Sequence, residues 1–520
     1  MKRIFLFALA AVVMLSSCKK FLDTKPEDGA TAENYYNTEA DLNRALNGVY
    51  NRLIDNFGRM YSRGLFSFLS LSDESFYKSI TINNLKVMDF DAANLDVGKL
   101  WEVLYQGIDR ANLLLENVDK PKMDETKRGY IKGEALFLRA YYYFILVDNF
   151  GGVPLKLKST PPYTEEYLPR AAVADVYAQI EADMKAAENL VSDISSYAYN
   201  ERVTKTAVQA VLARVYLTMA GSPLYNTAKY NDALIYANKV VTSGKHALNA
   251  DYKQIFINHS KDLYDTKECL LEVGMYGNKL GNIDQAGFVG IENGLESLND
   301  EIGYSAGSIK VTAKLYNAYE AADQRRDWNI APYKYAANGT KTNYTTAQVY
   351  DRTAGKWRRE YESLTPKVRS YNSTNFPLMR YADVLLMKAE AENEVNGGPN
   401  ATAYEAINMV RRRAYGKPLN VPDATVDVPA GLGKVAFFTY VQNERFRELC
   451  FEGLRKHDLI RWGTYVSTMN ATGADIAATA PSGYKYAGNA GLNTTSRNVL
   501  FPIPSTELTV NKFMTQNPGW

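Results

Sequence analysis

The chain has 520 residues, 60 Lys plus Arg against 58 Asp plus Glu, and only three Cys and three His. That near-neutral balance, with no basic stripe, excludes an electrostatically driven nucleic-acid binder. The scattered His246, His259 and His457 and the absence of paired cysteine spacing give no zinc motif. Tyrosine is abundant at 38 residues; its flat apolar face and polar tip suit wet interfaces and sugar rings.

The N-terminus reads VVMLSSCKKFLD from Val12 to Asp23. Lys2 and Arg3 precede an apolar run, Ile4 to Leu15, and small residues stand before Cys18. This is the order of a secretion signal, and the run is too short to span a bilayer, which takes roughly 20 residues. Residues 1–17 are therefore expected to be a signal peptide. Leu15-Ser16-Ser17-Cys18 resembles a bacterial lipobox, which implies cleavage before Cys18 and lipidation of it. Several acyl chains together give stable anchoring. Removing Lys2 and Arg3 leaves 58 cations against 58 anions, a formally neutral mature chain. Overall neutrality points away from polyanionic ligands unless local patches override it.

Residues 18–36 are polar, hold Pro26 and Gly29, and read as a lipidated tether. Helical periodicity then dominates. It predicts helices over 40–55, 100–118, 124–150, 174–191, 205–220 and 229–243. Gly151-Gly152-Val153-Pro154 should stop the third sharply. KTAVQAVLARVYLTMA and KYNDALIYANKVV place small Ala213, Ala233 and Ala237 beside Tyr216 and Tyr230, the pattern of a tetratricopeptide helix pair. A similar pair is expected at 381–394 and 403–413, around the turn Asn396-Gly397-Gly398-Pro399. The fold expectation is mainly α: tetratricopeptide-like helix pairs forming a scaffold with a loop-rich ligand-binding region. The parts are an N-terminal helical part at 37–248, a loop-rich ligand-binding insertion at 249–375, and a C-terminal helical part at 376–520 completing the same domain. Within the insertion only short helical pieces such as 309–322 are expected. A second loop-rich patch is read at 471–497.

Cys269 in ECLLEVGMY reads as a buried strand residue and Cys450 in RFRELCFEGLR as part of a buried helix face, both free. Gly303-Tyr304-Ser305-Ala306-Gly307 matches G-x-S-x-G, but no buried strand precedes it and no histidine is well placed, so it reads as a Gly-rich loop. Arg411-Arg412-Arg413 reads as a solvated or ion-paired helix face. Glu444, Arg445, Arg447 and Glu448 read as helix-surface and helix–helix ion pairs.

Taken in order, several stretches are similar to the SusD/RagB family of Bacteroidetes nutrient-uptake lipoproteins. They are CKKFLDTKPEDGAT, LWEVLYQGIDRANLLLENV, GEALFLRAYYYFILVDNFGGVPL, YNAYEAADQRRDW, FPLMRYADVLLMKAEAENEVNG, NERFRELCFEGLRKHDLIRWG and VLFPIPSTELTVNKFMTQNPGW. The resemblance implies an outer-membrane lipoprotein facing the cell exterior and a SusC-like TonB-dependent transporter as partner. It also implies a glycan or other nutrient ligand, with no catalytic site and no cofactor. It carries no ligand residues over, because the family's ligand surface is built from variable loops.

Ligand candidates follow instead from chemistry: sugar faces stack on aromatic rings, and hydroxyls bind polar side chains. Aromatics mixed with polar residues in expected loops are Phe76 and Tyr77 (in Asp73-Glu74-Ser75-Phe76-Tyr77), Tyr304, Trp328, Tyr333, Tyr335 and Trp357. Trp101 and Trp462 fall in helical stretches and are assigned to the core. Substituting Trp328 or Tyr77 with Ala is expected to weaken binding and leave the thermal midpoint nearly unchanged. Three other functions stay open: capture of peptides, a surface glycoside hydrolase or esterase, and a lid whose partner barrel does all the recognition.

Overall fold

The computed structural model describes residues 35–520 apart from 55–59, 64, 66–67, 69–70, 80–83, 161–166 and 282–284. The expected signal peptide, Cys18 and nearly all of the tether lie outside the described residues.

The scaffold is helical. Its N-terminal half holds α1 (Glu39–Ile54), α2 (Leu95–Asn117), α3 (Glu125–Phe150), α4 (Val173–Leu190), α5 (Lys205–Ala220) and α6 (Lys229–Thr242), followed by α7 (Tyr252–Lys261). The C-terminal half holds α8 (Tyr381–Val395), α9 (Ala401–Ala414), α10 (Lys434–Glu448), α11 (Arg455–Arg461) and α12 (Tyr465–Thr479). Consecutive helices pack as neighbours from α1 to α6, and α8 packs on α6, α9 and α10, which joins the two halves. Among the described residues, three two-stranded antiparallel sheets complete the architecture: β1 (Ser75–Tyr77) with β3 (Ile309–Val311), β2 (Cys269–Val273) with β6 (Phe376–Arg380), and β4 (Tyr333–Tyr335) with β5 (Lys341–Asn343).

Local chemistry sets the helix ends. Asn94 caps α2 by accepting the Asp96 and Val97 N–H groups, and Asp124 caps α3 by accepting that of Lys127. Gly151, at φ +72°, closes α3 with its N–H on the Val147 carbonyl. α3 is buried on nearly every side, including Tyr141, Tyr142 and Tyr143, as an all-round apolar helix must be. Gly107 of α2 lets it approach: a Cβ there would meet the Tyr142 ring at 2.5 Å. The pair α5 and α6 packs through Ala213, Ala233 and Ala237, all buried, with the Tyr216 and Tyr236 rings 5.5 Å apart.

Two expectations change. Residues 309–322 are not one helical piece: β3 comes first and a short helix, Ala313–Asn317, follows. The patch 471–497 is mostly helical, made of α12, the 3-10 turn Ser482–Gly488 and the helix Asn489–Asn493. Its Gly, Ala and Asn content reflects close backbone approach: a Cβ on Gly473 would sit 2.7 Å from the Leu492 nitrogen.

The arginine runs face inward. Arg380 binds Glu268, Glu448 and Glu452; Arg413 binds Glu268 and Glu448; Arg325 binds Asp323, Glu444 and Glu448. Lys356 adds a further contact to Glu452 at 2.6 Å. Arg445 bridges Asp383 on α8 to Asp458 on α11. The ion pairing expected at Arg411–Arg413 and the helix–helix pairs expected of α10 are present, but the solvated and surface alternatives are corrected to a buried network. Planar guanidinium forks allow it, since each meets two or more carboxylates. Burial alone would raise Glu448, but Arg413 and Arg380 outweigh it and hold its carboxyl at about 2. The network fastens the 249–375 region to the helices through Glu268, Arg325 and Lys356.

Cys450 is buried, but two residues beyond the end of α10 and in a turn, which corrects the expected helix face, and it shares a hydrogen bond with the Tyr319 hydroxyl at 3.4 Å. Cys269 is buried on β2, and both are free thiols. No helix among the described residues is long and apolar enough to cross a membrane.

Candidate functional site

β1 is the centre of the candidate site. Its register pairs Ser75 with Val311, Phe76 with Lys310 and Tyr77 with Ile309. Successive side chains point to opposite faces, so Phe76 and Tyr77 diverge. Phe76 is buried among Tyr350, Tyr484 and Tyr486, with ring centroids 6.0, 6.4 and 6.0 Å away. Tyr350 and Tyr484 stack at 5.8 Å and 22°. Tyr77, Tyr484 and Tyr486 remain half-exposed. The Tyr484 hydroxyl donates to Asp351, and that of Tyr486 donates to the Lys78 carbonyl at 2.6 Å. Three segments remote in sequence thus meet in one aromatic cluster. Of this cluster the sequence singled out Phe76, with Tyr77 beside it on the other face of the strand, and not Tyr350, Tyr484 or Tyr486. The signal was present as aromatic-rich PSGYKYAGN in the patch 471–497, but nothing local showed that it packs on β1.

The strand is anchored at its base. Asp73 binds Arg455 through both oxygens at 2.7 and 2.9 Å, and Lys314 at 2.7 Å. Burial would raise Asp73, but these cations outweigh it and hold the carboxyl at about 2. Glu74 is different. One oxygen accepts the Phe451 N–H at 3.1 Å and the other has no hydrogen-bond partner. Burial pushes its carboxyl up to about 8. Asp73 and Glu74, both buried, therefore hold β1 at its base.

The other candidates fall in two groups. Trp357 has 0% exposure. It stacks on Phe376 at 5.2 Å, meets Phe256 edge-on at 5.5 Å and donates its N–H to His259 Nδ1 at 3.3 Å. Trp328, 4% exposed, lies under the Arg358 guanidinium at 4.1 Å. Phe76 is 3% exposed. These three are corrected from ligand contacts to packing residues, because no ring face is left for a sugar. The second group stays near the surface. Tyr333 and Tyr335 on β4 both donate their hydroxyls to Glu360 at 2.6 Å, and Tyr335 is half-exposed. Burial, then the bond to Glu360, keeps the Tyr335 phenol protonated. Tyr333 is almost buried and carries Lys341 over its ring at 3.6 Å. Tyr304 is half-exposed, with Arg369 over its ring at 4.3 Å.

Two chemical alternatives fail on geometry. In the G-x-S-x-G loop Ser305 is 1% exposed and donates to the Ile291 carbonyl at 3.0 Å. The histidines are engaged elsewhere: His246 with Thr206, His259 with Trp357, and His457 with Asp148. His259, Cys269 and Glu272 converge as metal ligands would, with Nε2 3.3 Å from both Sγ and the carboxylate. But the Trp357 N–H occupies Nδ1, so the ring proton sits on Nε2 and no lone pair is left there for a metal. Glu272 is further used by Asn200 and Asn375. The trio is a buried hydrogen-bond cluster.

A cavity of about 130 Å³ runs past Glu74, Arg214 and Lys456, and a groove of about 940 Å³ lies along α2 beside Trp101, Tyr105 and Glu507. Neither includes Tyr77, Tyr484 or Tyr486.

Comparison with known proteins agrees with this architecture. Residues 275–520 match the model of the SusD family, and residues 20–217 match a second family model described as starch-binding associating with outer membrane. SusD-like protein P25 of Formosa agariphila is 24% identical over 96% of this chain and 95% of its own length. The crystal structure of a SusD homolog from Bacteroides thetaiotaomicron is 31% identical, covers 94% of this chain and 98% of its own, and superposes with a TM-score of 0.86. A laminarin-binding SusD-like protein, 23% identical, shares the fold with a TM-score of 0.71 over 93% of this chain and 100% of its own. The helix pairs, the loop-bearing middle and these matches along the whole length agree: this chain belongs to the SusD/RagB family.

Proposed function

We propose that the protein is a non-catalytic glycan-capture lipoprotein. It is anchored through Cys18 in the outer membrane, faces the cell exterior, and delivers its ligand to a SusC-like TonB-dependent transporter. The observation that carries this is the aromatic cluster on the Phe76 side of β1, where Tyr484 and Tyr486 stay half-exposed beside polar Asp351 and the Lys78 backbone, with Tyr77 half-exposed on the strand's other face. Rings with C–H-rich faces stack on such tyrosines, and phenol tips serve hydroxyls. Tyr335 and Tyr304, also half-exposed, are further candidates. The starch-binding description of the matching family model and the laminarin-binding fold neighbour support the glycan assignment. The secluded Ser305 and the absorbed histidines support a role without catalysis.

The test is a glycan-array and affinity-gel screen of the soluble mature protein with Cys18→Ala, run alongside an assay for new reducing ends. Retention without cleavage supports capture and names the sugar. Cleavage overturns the non-catalytic assignment. No retention on any glycan overturns the glycan assignment and turns the search to peptides or to a lid acting only beside its barrel.

A further inference from the structure

A second aromatic surface is built from other segments, between α4 and α5 and between α7 and β2. Asn200, fully buried, fixes the first of these to β2. Its side chain donates to the Cys269 carbonyl at 3.0 Å, and its backbone carbonyl accepts the Glu272 N–H at 3.0 Å. Tyr197 and Tyr199 come just before it. Tyr197 has extended backbone, φ −128° and ψ 147°, and side chains two apart on extended chain share a face. The two rings meet at 5.3 Å and 41°. Tyr264, from the turn after α7, continues the row with its ring 6.1 Å from that of Tyr199. Tyr199 and Tyr264 are each 36% exposed, and Tyr197 is half-buried.

The edge of this row is polar. The Tyr264 hydroxyl donates to Glu201 at 2.6 Å and lies 3.2 Å from Asp262. Gly274 leaves room for the Glu201 carboxylate: a Cβ there would sit 1.7 Å from its Oε1. Among the described residues only Tyr264 donates to Glu201, and it does so to Oε1, so Oε2 keeps its lone pairs for another donor. Apolar residues scattered singly over a surface need no explanation, but contiguous ones with a polar rim mark binding sites. Phenol faces suit the C–H-rich faces of a sugar, and carboxylates at the edge accept its hydroxyls. The apolar face of a protein helix has no use for those acceptors, and an anionic sugar is repelled by them.

Building on the glycan-capture assignment, we infer that Tyr197, Tyr199 and Tyr264 form a second saccharide-binding surface for a neutral glycan, with Glu201 and Asp262 accepting its hydroxyls. It shares no residue with the cluster around Phe76. A polysaccharide long enough to reach both surfaces is held at two points, the second forming at high effective concentration once the first is made. Losing either is expected to weaken retention on a polymer roughly tenfold or more.

The experiment compares the Cys18→Ala protein with the same protein carrying Tyr199→Ala/Tyr264→Ala or Tyr484→Ala/Tyr486→Ala, on gels of starch, laminarin and polygalacturonate. Titration calorimetry with maltohexaose and laminarihexaose counts the sites. Tyr199→Ala alone, which removes the middle ring, serves should the first pair fail to fold. A neutral glycan named by an array takes the place of starch and laminarin if neither retains the protein. The expected result is retention on a neutral gel that Tyr199→Ala/Tyr264→Ala weakens roughly tenfold, with the thermal midpoint within about 2 °C. Two hexasaccharides per chain should fall to one in either pair. One hexasaccharide per chain in the parent protein, with retention unchanged by Tyr199→Ala/Tyr264→Ala, overturns this inference and leaves glycan capture standing. Retention confined to polygalacturonate does the same. No retention on any gel, followed by none on a full glycan array, overturns both.

Discussion

Lys78 and Tyr486 lie 408 positions apart in the chain and are joined by one hydrogen bond, the Tyr486 hydroxyl donating to the Lys78 carbonyl at 2.6 Å. The bond ties the end of β1 to the 3-10 turn Ser482–Gly488, and so holds the Tyr486 ring against Phe76. Tyr486→Phe keeps the ring and removes only this bond. A net hydrogen bond is worth about 1 kcal/mol, spread over a large fold. The thermal midpoint is expected to move by no more than about 2 °C, while ligand retention falls several-fold as the Tyr486 ring loses its fixed place in the cluster. Calorimetry and an affinity gel on the same preparation check it. A midpoint loss many times larger would make the bond a general support of the fold instead.

The buried arginine network predicts a different response. Glu448 meets Arg380 at 3.0 Å, Arg413 at 2.7 Å and Arg325 at 3.0 Å, all fully buried. Glu448→Gln leaves buried guanidiniums undercompensated, which costs about 3–5 kcal/mol. Glu360→Gln, at the edge of the site, is expected to cost less than about 1 kcal/mol. Because the Glu448 and Asp73 carboxyls are held at about 2, their contribution is complete above the usual carboxylate range. It is lost as pH falls from about 4.5 towards 2. Denaturant midpoints between pH 6 and 3 should drop more steeply in the native protein than in Glu448→Gln.

These two cases show what the sequence carries. The helices at 205–220 and 229–243 were readable because periodicity and small-residue spacing are local, and the structure places them at Lys205–Ala220 and Lys229–Thr242. Cys269 reads correctly as a strand residue because ECLLEV is a short apolar run. Arg413 did not read as buried, because its partners Glu268 and Glu448 come from distant segments. Tyr484 and Tyr486 escaped for the same reason: their partners Phe76 and Asp351 lie far away in sequence. Trp357 misled in the opposite direction. Its polar neighbours in KWRREY suggested a loop surface, yet Arg358 and Arg359 fold inward onto carbonyls and Glu362.

Trp357 and Tyr77 can therefore be separated experimentally. Trp357→Ala opens a cavity between Phe256 and Phe376 and removes the donor to His259. A loss of about 3–5 kcal/mol is expected. Trp328→Ala should likewise destabilise, since its ring is enclosed by Arg358 and Tyr361. Tyr77→Ala removes a half-exposed ring, so affinity should fall while the midpoint stays within about 2 °C. Equal destabilisation by Tyr77→Ala and Trp357→Ala would remove Tyr77 from the ligand surface.

Glu74 and Lys456 line the same internal cavity and predict opposite pH responses. Burial raises the Glu74 carboxyl to about 8, above its unfolded value, so the folded state holds the proton more tightly. Its contribution is full below about 4.5 and is lost as pH rises towards 8. Lys456 packs its ammonium over Phe501 at 3.8 Å with no hydrogen-bond partner, and burial lowers it to about 7, opposed only by Asp148. Here the unfolded chain holds the proton more tightly. The penalty is full below about 7 and is relieved as pH rises towards 10.5, at up to about 1.4 kcal/mol per pH unit. Glu74→Gln keeps an acceptor for the Phe451 N–H and is expected to stabilise at pH 8 but not at pH 4.5. Lys456→Met keeps the stem on Phe501 and is expected to stabilise at pH 6.5, with the advantage shrinking by pH 9.5. Denaturant midpoints of the three proteins across pH 4.5–9.5 decide it. Parallel curves would mean that water reaches both groups through the cavity and that neither titrates away from its ordinary range.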